Sequence, residues 1–285
     1  MTTTQRSAHP TVGFVGLGDQ GAPIAAAIAD ACYPLQVWAR RPASLKALTG
    51  VPFTAHATVA ALAAASDIVA LCLPEDSDNL EVATTGGLLA HMRRGSVLVN
   101  HGTGTPRAMQ QLAELAAPYG IEVVDAPVSG GRAVAFARQL TTIVGGQEAV
   151  VDRLRPVFNT FSKRVIHIGA IGSGQSGKLF NNTLMMMNHQ NLIEILALAE
   201  ELGLPLTPLL EVFRSGSATS FALEAFGPAI TVENSAHLTG LELIDMDLFS
   251  TATEALGSAR ANVVRRAVAG ANGLSGLAAL IEDKR

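Results

Sequence analysis

Seven short β-branched runs divide the first 170 residues of this chain and constrain its fold more than any other feature. They are TVGFVGLG (11–18), LQVWAR (35–40), DIVALCLP (67–74), SVLVNHG (96–102), EVVDAPVS (122–129), TTIVGG (141–146) and VIHIG (165–169). Alanine-rich helical patterns such as GAPIAAAIADA, TVAALAAA and RAMQQLAELAAPYG stand between several of them. Parallel strands cannot be joined by a tight hairpin and need crossovers, so strand, helix, strand in repetition predicts a mainly parallel sheet with helices on both faces.

After Gly169 the strand signals cease. From Ser176 to about Leu202 the chain has no proline and no glycine after Gly177, enough for a helix of roughly 40 Å. GLPLTP interrupts it, and the helical pattern that follows breaks at SGSATS, FGP and AGANGLSG. The expected fold is α/β: a doubly wound Rossmann domain over residues 1–170, then an all-α substrate and oligomerisation domain over 171–285. GAIGSG (169–174) forms the junction into a long interdomain helix.

A net charge of −4, with no Lys/Arg-rich run, gives no field for nucleic acid, and none is expected as a partner. Cys32 and Cys72 fall in elements that read as buried and lack metal-ligand spacing, which predicts a reducing compartment and no structural metal. No apolar run approaches the ~20 residues that span a bilayer, and MTTTQRSAHP lacks a signal-peptide core. The expected location is the cytoplasm, with residues 1–10 a loose leader.

GFVGLGDQG carries Gly16, Gly18 and Gly21 in G-x-G-x-x-G spacing. The first glycine permits a tight turn, the second lets backbone approach a pyrophosphate, and the third lets helix and strand pack closely. Alone the motif is weak, and a structural turn explains it. Here it closes an apolar strand and opens a helix whose N-terminus attracts anions, so Gly16, Leu17, Gly18, Asp19, Gln20 and Gly21 are read as a dinucleotide-binding loop. The second strand ends in Arg40 and Arg41 rather than in the carboxylate that binds the NAD ribose. A guanidinium there can pair with a 2′-phosphate, which makes NADP (NADPH) the expected cofactor over a pair of solvated arginines.

Three segments in order resemble the β-hydroxyacid dehydrogenase family, which includes 3-hydroxyisobutyrate dehydrogenases and tartronate semialdehyde reductases. They are GFVGLGDQGAPIA, DAPVSGG (125–131) and GSGQSGKLFNN (172–182), and the resemblance spans nearly the whole chain. It implies that Lys178 is the catalytic lysine, Asn182 the asparagine beside it, and Ser129, Gly130 and Gly131 the substrate loop. It also places Thr103 by the nicotinamide, and Leu73 and Pro74 in a loop against the cofactor. The implied reaction moves hydride between NADP and a small carboxylate-bearing alcohol or carbonyl, with Lys178 as general acid and base in a homodimer or homotetramer. The chemistry is consistent with the spacing, because residues four apart on a helix share a face.

Several positions depart from the pattern. Val134 and Arg138 stand where small residues are common, Gln20 replaces a methionine, and Met246, beside Asp247, occupies a usual lysine position. VNHGTGTP is similar to a segment of imine reductases, which makes NADPH-dependent imine reduction the alternative reading; retention of Lys178 with DAPVSGG argues for carbonyl or alcohol chemistry. A non-catalytic nucleotide-binding relative is a third possibility, opposed by Lys178. His101 reads either as a site residue or as a satisfied structural histidine, Met185–Met187 as helix core or pocket lining, and Ser220 and Phe221 as a capping loop or a cleft segment. No catalytic role is expected for His189.

Overall fold

The computed structural model describes residues 9–283, so the expected leader lies outside the described residues except for His9 and Pro10. Contacts divide the chain into two compact units, Met1–Lys178 and Leu179–Arg285. This division falls eight residues beyond the expected one, inside a helix instead of at the GAIGSG glycines.

The first unit holds strands β1 (Val12–Val15), β2 (Leu35–Trp38), β3 (Thr54–Ala55), β4 (Ile68–Leu71), β5 (Val97–Asn100), β6 (Glu122–Asp125), β7 (Val128–Ser129), β8 (Leu140–Gly145) and β9 (Ser162–Gly169) in one sheet. Its order is β3-β2-β1-β4-β5-β6-β8-β7, with β9 paired to β8. The first six strands run parallel in the Rossmann order, and β6 and β7 meet β8 antiparallel. Helices α1 (Gly21–Asp30), α2 (Val59–Ala64), α3 (Asp76–Ala83), α4 (Leu88–His91), α5 (Pro106–Ala116), α6 (Gly131–Phe136) and α7 (Glu148–Phe158) complete the unit.

Side-chain alternation sorts the sheet into two cores. Phe14, Ala70 and Val99 point into one with Ile24, Ile28, Phe158 and Phe161, while Val15, Leu71 and Leu98 point into the other with Leu62, Met109 and Leu112. Strands buried on both faces must be apolar throughout, which is why VGFV, IVAL and VLVN are conspicuous runs. Two details differ from expectation. EVVDAPVS is two strands, because Pro127 cannot donate to a ladder and the chain turns there onto β8. Cys32 is exposed, since α1 ends at Asp30 and Cys32 sits in the turn behind it at φ 66°.

Helix α8 (Ser173–Glu201) carries the chain from the first unit into the second. It opens three residues earlier than expected and contains Gly174 and Gly177. Glycine is needed there for contact: a Cβ on Gly174 would lie 2.7 Å from the carbonyl oxygens of Asp125 and Ile143, and one on Gly177 would lie 2.5 Å from Ile168 Cδ1.

The second unit is helical, with α9 (Leu206–Ser215), α10 (Phe221–Glu224), α11 (Val232–Ala252), α12 (Ala261–Asn272) and α13 (Leu274–Asp283) packed with the rest of α8. Contacts Phe180–Phe249, Asn182–Asp245, Thr183–Met246 and His189–Glu242 set α8 antiparallel to α11. Met186 is core and Met246 lies beside it in the same apolar cluster. Ser220 caps α10, its hydroxyl accepting the Leu223 N–H.

Candidate active site

The glycine loop leaves β1 with Gly16 at φ 100°, where a Cβ would lie 2.2 Å from the Cys72 carbonyl oxygen. A Cβ on Gly21 would lie 1.9 Å from the Gly16 oxygen, whereas nothing in the chain stands within 4 Å of the Cβ position of Gly18. Two glycines therefore close the turn and the third leaves a space above the backbone. α1 begins without a side-chain cap and without an acidic residue in its first turn, so the dipole there is not neutralised from within. Gln20 Oε1 is buried beside it and receives no hydrogen bond from the described residues. The open space over Gly18 and the uncapped start of α1 fit a bound diphosphate.

Neighbouring loops complete this edge. Leu73 Cδ2 would lie 3.2 Å from a Cβ on Gly16, and the Leu73 oxygen 2.4 Å from one on Gly102. The first glycine, Leu73 and the segment around Thr103 thus adjoin at the carboxyl ends of β1, β4 and β5, where the strand order reverses and ligands of such sheets bind. Pro74 is exposed, as are Gly18 and Asp19. Arg40 follows β2, 70% exposed, with Nη1 3.3 Å from Asp78 Oδ1 on α3. An exposed pair of this kind contributes about 0–1 kcal/mol, so the guanidinium is readily drawn to a stronger anion. Arg41, also exposed, precedes a 3₁₀ turn.

Thr103 is half-buried in a segment fastened from three sides. The Gly102 N–H donates to Asn100 Oδ1 at 2.9 Å, and the Thr105 N–H and hydroxyl both donate to Asp76 Oδ2 at 2.9 Å. The Gly104 N–H donates to Gln175 Oε1 at 2.9 Å, while Gln175 Nε2 donates to the Gly102 oxygen at 2.8 Å. His101 is structural: its Nδ1 lies 2.8 Å from the Ala126 oxygen and its ring packs against Phe14, Phe158 and Phe161. Burial pushes its imidazole down to about 4.

Gly130 and Gly131 follow Ser129 at φ 137° and 75°, a turn that favours glycine at both positions. Beyond it Val134 packs into the sheet core, Arg132 approaches Asp19 of the glycine loop at 3.7 Å, and Arg138 pairs with Asp30. Asp125, four residues before Ser129, is buried, and its carboxylate accepts the Gly172 and Gln175 N–H groups at 2.7 Å each, at the start of α8. Burial raises this carboxyl to about 6, against the backbone N–H groups that hold it down. Gln175 and Asp125 are residues that motif reading missed as individuals. A carboxylate at the end of an apolar strand signals a buried partner, but does not name it.

Lys178 closes the first unit, one turn beyond Gln175 and one turn before Asn182 on α8. Asn182 is buried, and its Nδ2 donates to Asp245 Oδ2 at 2.6 Å. The first unit thus joins the loop of Thr103, the strand leading to Ser129 and the start of the lysine-bearing helix through one buried network. Among the described residues, no group of His, Cys, Asp and Glu could hold a metal.

Comparison with known proteins places these features in a family. Residues 11–169 match the NAD binding domain of 6-phosphogluconate dehydrogenase, and residues 172–276 match the NAD-binding domain of NADP-dependent 3-hydroxyisobutyrate dehydrogenase. The 2-(hydroxymethyl)glutarate dehydrogenase of Eubacterium barkeri is 34% identical over 75% of this chain and 71% of its own. The NAD-dependent L-serine dehydrogenase of Pseudomonas aeruginosa is 32% identical over 76% and 73%. A Mycobacterium tuberculosis 3-hydroxyisobutyrate dehydrogenase solved with L-serine superposes with a TM-score of 0.82 at 26% identity, covering 97% of this chain and 99% of that one. With both units matched in order, and the glycine loop, the DAPVSGG turn and the lysine helix in the places described, the chain belongs to the β-hydroxyacid dehydrogenase family.

Proposed function

We propose that this protein is an NADP-dependent oxidoreductase interconverting a small carboxylate-bearing β-hydroxy acid and its semialdehyde, with Lys178 as general acid and base. The observation that carries the reading is the placement of Lys178 and Asn182 one turn apart on a helix whose first turn is tied by Asp125 and Gln175 to the segment around Thr103. Bound at the glycine loop, the nicotinamide cofactor would supply or accept the hydride. In reduction the Lys178 ammonium gives a proton to the carbonyl oxygen; in oxidation the amine takes the hydroxyl proton. Asn182 binds the same end of the substrate, and Ser129 with the Gly130 and Gly131 turn receives the carboxylate.

Gly16, Leu17, Gly18, Asp19, Gln20 and Gly21 hold the pyrophosphate, with Leu73, Pro74 and Thr103 against the rest of the cofactor. Arg40, with Arg41 beside it, favours the 2′-phosphate of NADP; against this, one relative is named as NAD-dependent. Imine reduction is the second reading, resting on NHGTGTP. Its weight is reduced because Asn100 and His101 both have structural partners. Exposed apolar side chains along α8, among them Leu184, Ile195 and Leu198, support a homodimer or homotetramer. No helix among the described residues is long and apolar enough to cross a membrane, and we place the protein in the cytoplasm.

The test is Lys178→Ala, assayed with semialdehydes, β-keto acids and cyclic imines. Turnover should fall roughly 10²–10⁴-fold with NADPH affinity retained. Undiminished turnover would reject the role of Lys178, and a preference for imines over every carbonyl would reverse the two readings.

A further inference from the structure

The family pattern of lysine and asparagine on one helix says nothing of what orients the asparagine. Here the Asn182 amide meets a carboxylate: Nδ2 donates to Asp245 Oδ2 on α11 at 2.6 Å. An ionised carboxylate only accepts, so the NH₂ end faces Asp245 and the carbonyl end is left as acceptor. That end takes one N–H, from Asn181 Nδ2 at 3.0 Å, and a carbonyl oxygen has room for a second.

The position of Asp245 is fixed by its neighbours. Met246 is buried in the apolar cluster with Leu179 and Met186, Phe249 packs edge-on against Phe180, and Thr183 reaches the Met246 sulfur. The two helices therefore cannot slide to move the carboxylate away. Asn182 itself is only 7% exposed, so water competes little for its amide.

We propose that Asp245 is a positioning residue for the reaction assigned above: it locks the Asn182 side chain with its carbonyl oxygen as hydrogen-bond acceptor, so that Asn182 receives a hydrogen bond from the reacting hydroxyl. The inference rests on the dehydrogenase reading. It makes Asn182 an acceptor for the alcohol, not only a donor to a carbonyl, and couples Asp245 to the reaction through Asn182.

A double-mutant cycle on the full-length chain tests this, measuring kcat, KM, NADPH affinity and thermal midpoint for the wild type, Asp245→Asn, Asn182→Ala and the double variant, with Asp245→Ser as a second replacement. In Asp245→Asn the new amide can offer either end, so Asn182 is free to flip. The expected result is a kcat for alcohol oxidation at least tenfold lower, KM within about threefold, NADPH affinity unchanged, and a double variant whose loss is well short of the product of the two single losses. Asp245→Glu should recover part of the loss. Wild-type kcat in both Asp245→Asn and Asp245→Ser, or losses that multiply in the double variant, would overturn the role of Asp245 while the dehydrogenase reading stands. A wild-type chain that binds NADPH but oxidises no hydroxy acid would overturn that reading and this inference with it.

Discussion

Gln175 and Gly104 are joined across the sheet end by a buried hydrogen bond, the Gly104 N–H donating to Gln175 Oε1 at 2.9 Å, and the same side chain returns a bond to Gly102. The pair brackets Thr103 while Gln175 stands one turn before Lys178. Gln175→Leu keeps the volume and removes both bonds, leaving a buried donor and a buried acceptor unsatisfied. Each such group costs about 1–3 kcal/mol, so urea denaturation should show roughly 2–6 kcal/mol of lost stability. Gln175→Glu keeps the acceptor for the Gly104 N–H and should lose less; equal losses would mean the bond accepted from Gly104 contributes nothing.

How much of this was legible in the sequence depends on the range of the interaction. The strands of the parallel sheet are buried on both faces and are written as apolar runs, and the G-x-G-x-x-G loop is local, so both are visible to inspection. Asp125 was visible only as the first letter of a motif. Its partners Gly172 and Gln175 lie 47 and 50 residues away, and Asp245 lies 63 residues from Asn182. No periodicity marks such contacts. His101 could be read two ways until the aromatic rings around it were placed, since Phe158 and Phe161 come from elements remote in the chain.

The three loop glycines should separate folding from cofactor binding. Gly16→Ala meets the Cys72 oxygen at 2.2 Å and must also hold φ 100°, so it should fold poorly or lose several kcal/mol. Gly18→Ala meets nothing in the chain and should keep its stability to within about 1 kcal/mol. It fills the space left for the diphosphate, so NADPH affinity measured by fluorescence titration should drop at least tenfold. A Gly18→Ala protein with wild-type affinity would place the cofactor elsewhere.

Two buried groups set opposing pH dependences of stability. The His101 imidazole, pushed down to about 4, stays neutral in the fold while the unfolded chain takes up a proton below 6.5. Its contribution is present above pH 6.5 and is lost as pH falls through 4, at most about 3 kcal/mol. The Asp125 carboxyl, raised to about 6, favours the fold when protonated, and its contribution is lost as pH rises from 3.8 through 6. Between pH 4 and 6 the slopes oppose each other. Relative to wild type, Asp125→Asn should therefore gain stability more steeply with rising pH, and His101→Phe less steeply. Urea midpoints across that range decide it, and unchanged slopes in both variants would reject both assignments.

Arg40 and Asp78 bear on which dinucleotide is used. Asp78, its side chain 19% exposed, holds the guanidinium at 3.3 Å and would stand near a 2′-phosphate bound by Arg40, so it opposes the second anion while orienting the cation. Removing the carboxylate frees Arg40 at little structural cost, because an exposed pair contributes about 0–1 kcal/mol. Asp78→Asn should then leave the thermal midpoint nearly unchanged and tighten NADPH a few-fold, with NADH affected less. Arg40→Asp should do the reverse, weakening NADPH at least tenfold while sparing or improving NADH, since a carboxylate can bind the ribose hydroxyls and repels the phosphate. Equal changes for the two cofactors in both variants would remove Arg40 from the 2′-phosphate site and leave NAD as the better assignment.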